Sequence, residues 1–421
     1  VDIIGLSGLI TPSLDEMVDV AKEMKRQNFK TPLMLGGATT SRIHTAVKVD
    51  PFYDNTIVHV ADASKSVPVA QMLLTKKEEI HRDTKRHYAE LRENHANRQK
   101  KSTLISMADA RKNKFTTDWD NFEVFKPNFV GVKEVLDVPL STLRKFIDWS
   151  PFFSAWRLTM AYPKIMEDPK YKEEAVKLFA DGQMYLDEII NSGAVVNKGK
   201  IGIFKASSKD EKIFLEDHDV TLNMLRSQRK MEEVKSRNRS LADYIAPNSS
   251  GKDDYMGAFI VTTGLGLETL ITKYEKEHDD YAIIMLKSLA DRLAEAFAEY
   301  MHLYLRTELW GYAKNEDLST EDLVREKYKG IRPAPGYSAC PDHSEKEKLF
   351  SLLAGNDIGV KLTESCAMTP ASSVSGWYFS HPEAKYFNVG AITKEQVEVY
   401  AKEKNITLEV AEKWLRPNLE Y

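Results

Sequence analysis

Apolar residues in the first 75 positions recur with two different periods. Three short uninterrupted runs have the length and composition of buried parallel strands, and they span residues 1–6, 31–37 and 56–60. Between the first two runs, apolar residues from Met17 to Met24 return at helical spacing, behind a capping box formed by Ser13 and Glu16. This strand–helix–strand order predicts an α/β domain with a parallel sheet and ligand-binding loops at the carboxyl ends of its strands.

Three strands are too few for a complete doubly wound domain. Because the chain opens directly on a strand, we expect residues 1–75 to be the C-terminal portion of a Rossmann-like domain that is truncated at its N-terminal side. The next stretch, residues 76–101, carries nine Lys or Arg against five Asp or Glu and has no Gly or Pro. This composition predicts a solvated charged helix that leads into a linker, so we assign residues 76–128 to helix and linker.

From residue 129 onward the strand and helix patterns no longer alternate. Strand patterns occur at 132–140, 254–264, 373–381 and 385–392, with a hairpin at 200–217. Helical patterns occur at 141–149, 153–161, 169–191 and 279–312, and twice more at the end of the chain. Strands that cluster apart from helices predict a larger α+β domain over residues 129–421, with a mainly antiparallel sheet and long helices.

Composition narrows the class of protein. A length of 421 residues suggests two or three domains, and the share of charged residues, 29%, is ordinary for a globular chain. The net charge of −4 gives no general attraction to nucleic acid, and no apolar run approaches the roughly 20 residues of a membrane-spanning helix. Cys340 and Cys366 are the only cysteines, so there is no disulfide framework. We expect a cytoplasmic protein with neither nucleic acid nor a membrane as its partner.

The stretch RPAPGY, residues 332–337, is unusual for a loop and is called the strap below. Pro333 and Pro335 fix φ and disfavour helix, so the backbone of the strap is extended and stiff. Such a segment either packs as a structural element or presents Arg332 and Tyr337 to a ligand. The pattern alone leaves both interpretations open.

Carboxylates in two other places could face a ligand. Asp148 lies among apolar residues at a predicted helix end, where capping and acceptance of a ligand amine are equally consistent with the pattern. On the long helix at 279–312, Glu295 lies nearer the apolar face, whereas Glu299 and His302 are expected on a solvated acidic stripe. A small cationic amino-acid derivative would use these residue types well, since a guanidinium suits a carboxylate and aromatic rings suit a sulfonium.

The remaining cysteines and histidines predict no site. Cys340, His343 and Cys366 match no usual zinc spacing and lack a fourth ligand, so we expect unrelated thiols. His343 and His381 are expected to be surface or capping residues.

Two blocks of the sequence resemble one known family. Ser7-Gly8-Leu9, followed at a distance by Gly36-Gly37, resembles the later half of the cobalamin-binding signature of corrinoid methyltransferases. The strap, together with IDWSPFF at 147–153 and GWYFSHP at 376–382, resembles the S-adenosylmethionine-binding reactivation domain of cobalamin-dependent methionine synthases. The resemblance runs through essentially the whole chain, and the second block is specific to that family.

The resemblance implies two sets of ligand contacts. For cobalamin, the implied residues are Ser7, Thr11, Ser13, Gly36, Gly37 and Ala63. For S-adenosylmethionine, Arg332 would hold the carboxylate and Asp148 the amine, and the other implied residues are Ala334, Gly336, Tyr337, Tyr378, Phe379, Glu295 and Glu326, the last two near the sulfonium. The half of the signature that carries the cobalt-ligating histidine is missing from this chain, so the resemblance implies no metal ligand here and assigns no catalytic residue.

The resemblance also implies a function. The chain would bind S-adenosylmethionine and present it to cob(II)alamin for reductive methylation, which reactivates an enzyme that moves methyl from methyltetrahydrofolate to homocysteine. The implied partners are the homocysteine, folate and cobalamin modules of the same enzyme, with zinc only in modules that this chain lacks, and a flavodoxin-like electron donor. The basic segment 226–239 is a candidate dock for that donor, and an exposed helix without a partner is the alternative. A corrinoid carrier or chaperone module, and a strap that merely packs, are the rival interpretations.

Overall fold

The computed structural model describes residues 1–8, 13–37, 39–62, 65–99, 104–231 and 236–421, with only the backbone described at 96–99. In chain order, its strands are β1 Ile4–Ser7, β2 Leu33–Gly36, β3 Ile57–His59, β4 Gly131–Leu136, β5 Val196–Lys209, β6 Lys212–Leu215, β7 Val220–Asn223, β8 Asp254–Leu265, β9 Lys361–Leu362, β10 Met368–Thr369 and β11 Ser373–Tyr378. Its α-helices are α1 Ser13–Arg26, α2 Arg42–His44, α3 Ser66–Thr75, α4 Lys77–Gln99, α5 Met107–Lys112, α6 Leu140–Leu143, α7 Ser150–Ala155, α8 Lys172–Ser192, α9 Leu267–Glu277, α10 Asp280–Tyr304, α11 Thr320–Val324, α12 Glu345–Leu353, α13 Lys394–Lys404 and α14 Leu408–Leu415.

The chain forms two compact units. Unit 1 comprises Val1–Ala110, Gln228–Ser236 and Gly390–Tyr421, and unit 2 comprises Arg111–Ser227 and Arg237–Val389. None of the described helices is both long enough and apolar enough to cross a membrane.

Unit 1 contains the small parallel sheet that the first 75 residues predict. The strand order is β1-β2-β3, with Ile4 opposite Leu33 and Leu33 opposite Ile57. Helix α1 buries its apolar stripe, including Met17 and Met24, against the sheet. The predicted strands and both predicted helices of this region, α1 and the charged helix α4, are confirmed.

Unit 2 is built on an antiparallel sheet of six strands. The order is β11-β8-β5-β6-β7, and β4 also pairs with β5. Strand β8 is buried along almost its whole length because both faces of the sheet are covered. Alternate side chains of β8 enter two different cores: Phe259 belongs to the core that contains α10, whereas Ile260 belongs to the core that contains α12.

Two of the predicted elements of this region are wrong. Residues 385–392 form no strand, since the Val389 amide donates instead to the Ser338 carbonyl of a neighbouring loop, at 2.9 Å. The helix predicted at 153–161 is the shorter α7, which ends at Ala155 because Arg157 takes a left-handed conformation, with φ +67°. The hairpin, the long helices and the antiparallel sheet are confirmed.

Candidate functional site

A cleft of about 280 Å³ lies in unit 2 beside the C-terminal half of α10. Residues before and within α7, and residues within and after α11, complete its walls. The charged residues of the lining are Asp148, Arg292, Glu295, Glu299, Glu326 and Arg332. The cleft therefore brings together Asp148, Glu295, Glu326 and Arg332, which the sequence had implied for one ligand and which lie far apart in the chain.

The strap is packed against the extended chain at the end of β11. Ile331 and Phe379 exchange two backbone hydrogen bonds of 3.0 Å, and the Trp377 amide donates to the Pro333 carbonyl at 2.9 Å. Proline has no amide hydrogen, so Pro333 contributes only its carbonyl to this pairing. The strap is thus a structural element, and at the same time it carries Arg332 into the cleft.

Arg332 is held by three side chains. Its Nη1 donates to Tyr328 at 3.1 Å and to His302 Nδ1 at 3.3 Å, and its Nη2 lies 2.7 Å from a Glu299 carboxylate oxygen. Burial alone would lower the pKa of Arg332, but the Glu299 carboxylate, together with the neighbouring tyrosines, raises it above its usual value. The guanidinium is therefore a fixed, fully charged group at the wall of the cleft.

The expectation of a solvated stripe at Glu299 and His302 is wrong. Glu299 is 8% exposed and His302 is 0% exposed. Their helix face is covered because the strap lies across it and brings Arg332 onto both side chains. These two residues are functional candidates that the sequence analysis missed, although their spacing from Glu295 already put all three on one face of the helix.

Asp148 makes the capping contact that its position allowed, and its acceptance of a ligand amine stays a prediction. One carboxylate oxygen accepts from the Ser150 amide at 2.9 Å, at the start of α7. The same side chain lines the cleft and is half-buried. Its second oxygen has no hydrogen-bond partner among the described residues and is free to accept from a ligand.

Glu326 occupies an unusual backbone position. Its φ of +55° is in the left-handed region, at the residue after the C-cap of α11, where glycine is the usual choice. Desolvation raises the pKa of Glu326, with Glu299 adding to the effect and Arg332 opposing it. A glutamate that is retained at a strained position beside a cleft is a candidate for a ligand contact.

The aromatic pair of the implied site is buried away from the cleft. Tyr378 and Phe379 are both 0% exposed, and their side chains enter the two different cores of unit 2. Tyr378 stacks on Phe259 at 4.7 Å and on His302 at 5.1 Å. Their implied contact with adenosine stays a prediction, as does the role of Tyr337, whose side chain is 67% exposed.

Gly336 is required by an internal contact. Its φ is +94°, and an added Cβ would overlap the imidazole of His343 beneath the strap.

His343 and His381 are both buried, so their expected surface positions are wrong. Lys346 Nζ donates to His343 Nδ1 at 3.0 Å, and Thr117 pairs with His381 at 3.0 Å. Ala334, next along the strap, is half-buried and accepts from the Tyr337 amide.

The residues implied for cobalamin lie in unit 1. Ser7 and Gly36 are opposite each other at the carboxyl ends of β1 and β2, and Gly37 follows. An added Cβ at Gly37 would overlap the backbone of Gly8, so this glycine too is required inside the protein. Helix α1 begins at Ser13. Thr11 and Ala63 lie outside the described residues.

A larger hollow of unit 1, about 430 Å³, lies at the opposite edge of the parallel sheet. Pro32 and Thr56 line it, and these residues come immediately before β2 and β3. Ligands of parallel sheets bind at the carboxyl ends of the strands, so the position of this hollow is not that of a cofactor site.

Comparison with known proteins identifies the family. The sequence profile of the vitamin B12 dependent methionine synthase activation domain matches residues 139–405. The chain belongs to this family. A solved structure described as "Crystal Structure of the MetH Reactivation Domain bound to AdoHcy" is 45% identical, with a TM-score of 0.72, and the match covers 76% of this chain and 100% of that chain.

The polar lining of the cleft consists largely of charged side chains. Within the described ranges, no group of three or more His, Cys, Asp or Glu is arranged to hold a metal ion. The cleft, with Arg332 fixed on the strap, is accordingly the strongest candidate for a site in this activation domain.

Proposed function

We propose that this chain binds S-adenosylmethionine in the cleft and presents it for reductive methylation of cob(II)alamin. Membership of the activation-domain family and the similarity to a reactivation domain bound to AdoHcy support this proposal. The observation that carries it is the state of Arg332, a fixed guanidinium at the wall of an acidic cleft.

The donors of Arg332 are only partly used. A guanidinium has five N–H donors. Both hydrogens of Nη1 have acceptors, in Tyr328 and His302, and one hydrogen of Nη2 has Glu299. Nε and the second hydrogen of Nη2 have no side-chain acceptor among the described residues. These two donors suit the two oxygens of a ligand carboxylate.

The charge of the cleft suits the whole ligand. Four carboxylates and two guanidiniums line it, which at their ordinary charges leaves a net charge of −2. S-adenosylmethionine carries an amine, a carboxylate and a sulfonium, so it is a net cation. Asp148 has a free oxygen for the amine, and Glu295 and Glu326 offer negative charge to the sulfonium.

The reaction needs little proton chemistry from the protein. Cobalamin, when bound, would supply the cobalt centre that accepts the methyl group together with one electron from the reductant, and S-adenosylhomocysteine would be the product released. The residues named here bind and orient the methyl donor, and none of them is asked to act as a general base.

The carboxyl edge of the parallel sheet in unit 1 suits some of the contacts implied for cobalamin. Ser7 and Gly37 are exposed at the carboxyl end of the parallel sheet, which leaves this edge open to a ligand. Ser7, Ser13, Gly36 and Gly37 would hold the nucleotide tail, with Thr11 and Ala63 as the further implied contacts. Cobalamin, when bound, supplies a cobalt centre that exchanges a methyl group.

The full methyl transfer to homocysteine is proposed for the complete enzyme, with the other modules as partners and a flavodoxin-like protein as electron donor in the cytoplasm. Arg226 must be removed from the proposed docking segment for this donor, residues 226–239. Arg226 is fully buried and pairs with Glu211 at 2.6 Å and Asp243 at 2.7 Å, and the described residues of this segment form no helix. The rival function of a corrinoid carrier has no observation in its favour, and the strap, although it packs, also carries Arg332 into the cleft.

Calorimetric titration with S-adenosylmethionine tests the proposal. The native chain should bind saturably, and Arg332→Ala should lose about a hundredfold or more in affinity, because a bidentate charged contact is removed. Hydrogen exchange of β8 checks that the variant keeps its fold. Binding that is unchanged in Arg332→Ala would refute the assignment of the cleft.

A further inference from the structure

His302 contacts Arg332 of the proposed site and, on its ring face, the buried side chain of Tyr378. It lies near the end of α10 and is fully buried. Its Nδ1 accepts from Arg332 Nη1 at 3.3 Å. Its ring stacks on Tyr378, with centroids 5.1 Å apart and planes inclined by 21°, and meets the edge of Tyr328 at 4.8 Å.

The contact with Arg332 fixes the protonation of the imidazole. A guanidinium can only donate, so Nδ1 of His302 must be the acceptor and the ring proton lies on Nε2. Burial, followed by the charges of Arg306 and Arg332, holds the pKa of His302 well below its usual range. The ring is therefore a neutral acceptor with a single tautomer.

Because its ring is neutral, His302 can be replaced without changing the charge of the cleft, unlike the charged residues around it. Replacing Glu299 would change the charge of the cleft as well as the geometry of Arg332, so its effect on a charged ligand has no single meaning. Replacing His302 changes no charge. Any effect on ligand binding then reports the geometry of the groups that it holds.

We propose that His302 is a positioning residue that aligns Arg332 for the carboxylate of S-adenosylmethionine. This inference rests on the proposed function. With Nη1 held by His302 and Tyr328, the guanidinium cannot turn its remaining donors away from the cleft. The stacked ring of Tyr378 in turn fixes the orientation of the imidazole that holds Arg332.

Two substitutions separate the two contacts. His302→Phe keeps an aromatic ring against Tyr378 but removes the acceptor for Arg332. His302→Asn keeps an acceptor, since its amide oxygen takes the place of Nδ1, but removes the stacked ring. Two ligands complete the design: S-adenosylmethionine, and 5′-methylthioadenosine, which has no carboxylate for Arg332.

His302→Phe should bind S-adenosylmethionine about tenfold more weakly, because a buried donor of a charged group loses its partner. Its affinity for 5′-methylthioadenosine should not change. His302→Asn should recover most of the S-adenosylmethionine affinity, and its affinity for 5′-methylthioadenosine should not change either. Added to Arg332→Ala, the Phe substitution should have no further effect.

Several results would overturn the inference. Native affinity of His302→Phe for S-adenosylmethionine would do so, as would an equal loss for both ligands, which indicates general packing. If His302→Phe does not fold, a loss in His302→Asn as large as that of Arg332→Ala excludes the acceptor role. Nitrogen NMR of the native chain gives a test without ligand: a protonated Nδ1 at His302 would refute the contact. Absence of binding to the native chain would instead refute the proposed function.

Discussion

The sheet edge in unit 1 and the cleft in unit 2 are both candidate ligand sites, but different physical terms hold them in place. At the edge, two strands end side by side and Gly37, with φ +105°, packs on the backbone of Gly8. In the cleft, Arg332 is held by Glu299, His302 and Tyr328. The edge thus depends on the absence of a side chain, whereas the cleft depends on the presence of charged ones. A substitution should affect the fold at the first site and ligand affinity at the second.

The largest expected effect is at Gly37. Gly37→Ala should lower the free energy of unfolding of unit 1 by about 3 kcal/mol, because the left-handed φ and the overlap with Gly8 are both unfavourable to alanine. Hydrogen exchange measures the loss in the amides of β2, with β8 of unit 2 as an unaffected reference. Gly5→Ala is the matched control, since nothing lies within 4 Å of an added Cβ there. Equal losses of stability in Gly37→Ala and Gly5→Ala would contradict the argument from the φ of Gly37 and its close approach to Gly8.

The next effect is a pH dependence beneath the strap. Burial, with the Lys346 ammonium adding to it, lowers the pKa of His343 from 6.5 to about 4. The folded chain binds this proton less readily than the unfolded chain, so the stability it contributes is complete above pH 6.5 and is lost as pH falls toward 4. At pH 5 the loss should be about 2 kcal/mol.

His343→Asn removes this titration and keeps an acceptor for Lys346. Denaturant unfolding at pH 7 and pH 5 should show a smaller loss of stability in this variant than in the native chain. His278→Asn is the control, because His278 is exposed and its left-handed φ suits asparagine. The same pH dependence in native chain and His343→Asn would contradict the prediction.

The shape of the cation in the cleft should matter as well as its charge. Arg332→Lys keeps the positive charge near Glu299 but loses the planar fork, so S-adenosylmethionine should bind about tenfold more weakly. Arg292→Lys is the matched control, since Arg292 lines the same cleft without a hydrogen bond to another described side chain. Equal losses of S-adenosylmethionine affinity in the two variants, measured by calorimetry, would show that Arg332 contributes only its positive charge.

The smallest effect, at Glu326, should have opposite signs in stability and binding. Glu326→Gly relieves the left-handed backbone and should raise the free energy of unfolding by up to about 1 kcal/mol. It should also weaken S-adenosylmethionine binding about threefold, because an exposed charge is lost. Glu326→Gln should weaken binding equally without the gain in stability. A Gly variant that is less stable would show that the backbone position is not strained.

By itself, the sequence determined the elements whose signal is local. Three apolar runs predicted the parallel sheet of unit 1, the turn within 200–217 predicted a hairpin, and Pro333 and Pro335 predicted a stiff strap. Each of these features depends on residues that are close in the chain, so propensity and spacing are sufficient to predict it. The implied roles of Arg332 and Asp148 came from resemblance, and no local pattern could have distinguished a ligand carboxylate from a packing contact.

Only the tertiary structure decided which polar residues are buried and what they meet. Glu299 and His302 carry the pattern of a solvated stripe, yet Arg332, 30 residues further along the chain from His302, covers both. His343 and Arg226 were likewise misjudged, because Gly336 of the strap packs on the His343 ring and Arg226 pairs with Glu211 from the turn between β5 and β6. Burial and ion pairing depend on which distant segments meet, and the energy of a charged group is set by those neighbours rather than by its own position in the sequence.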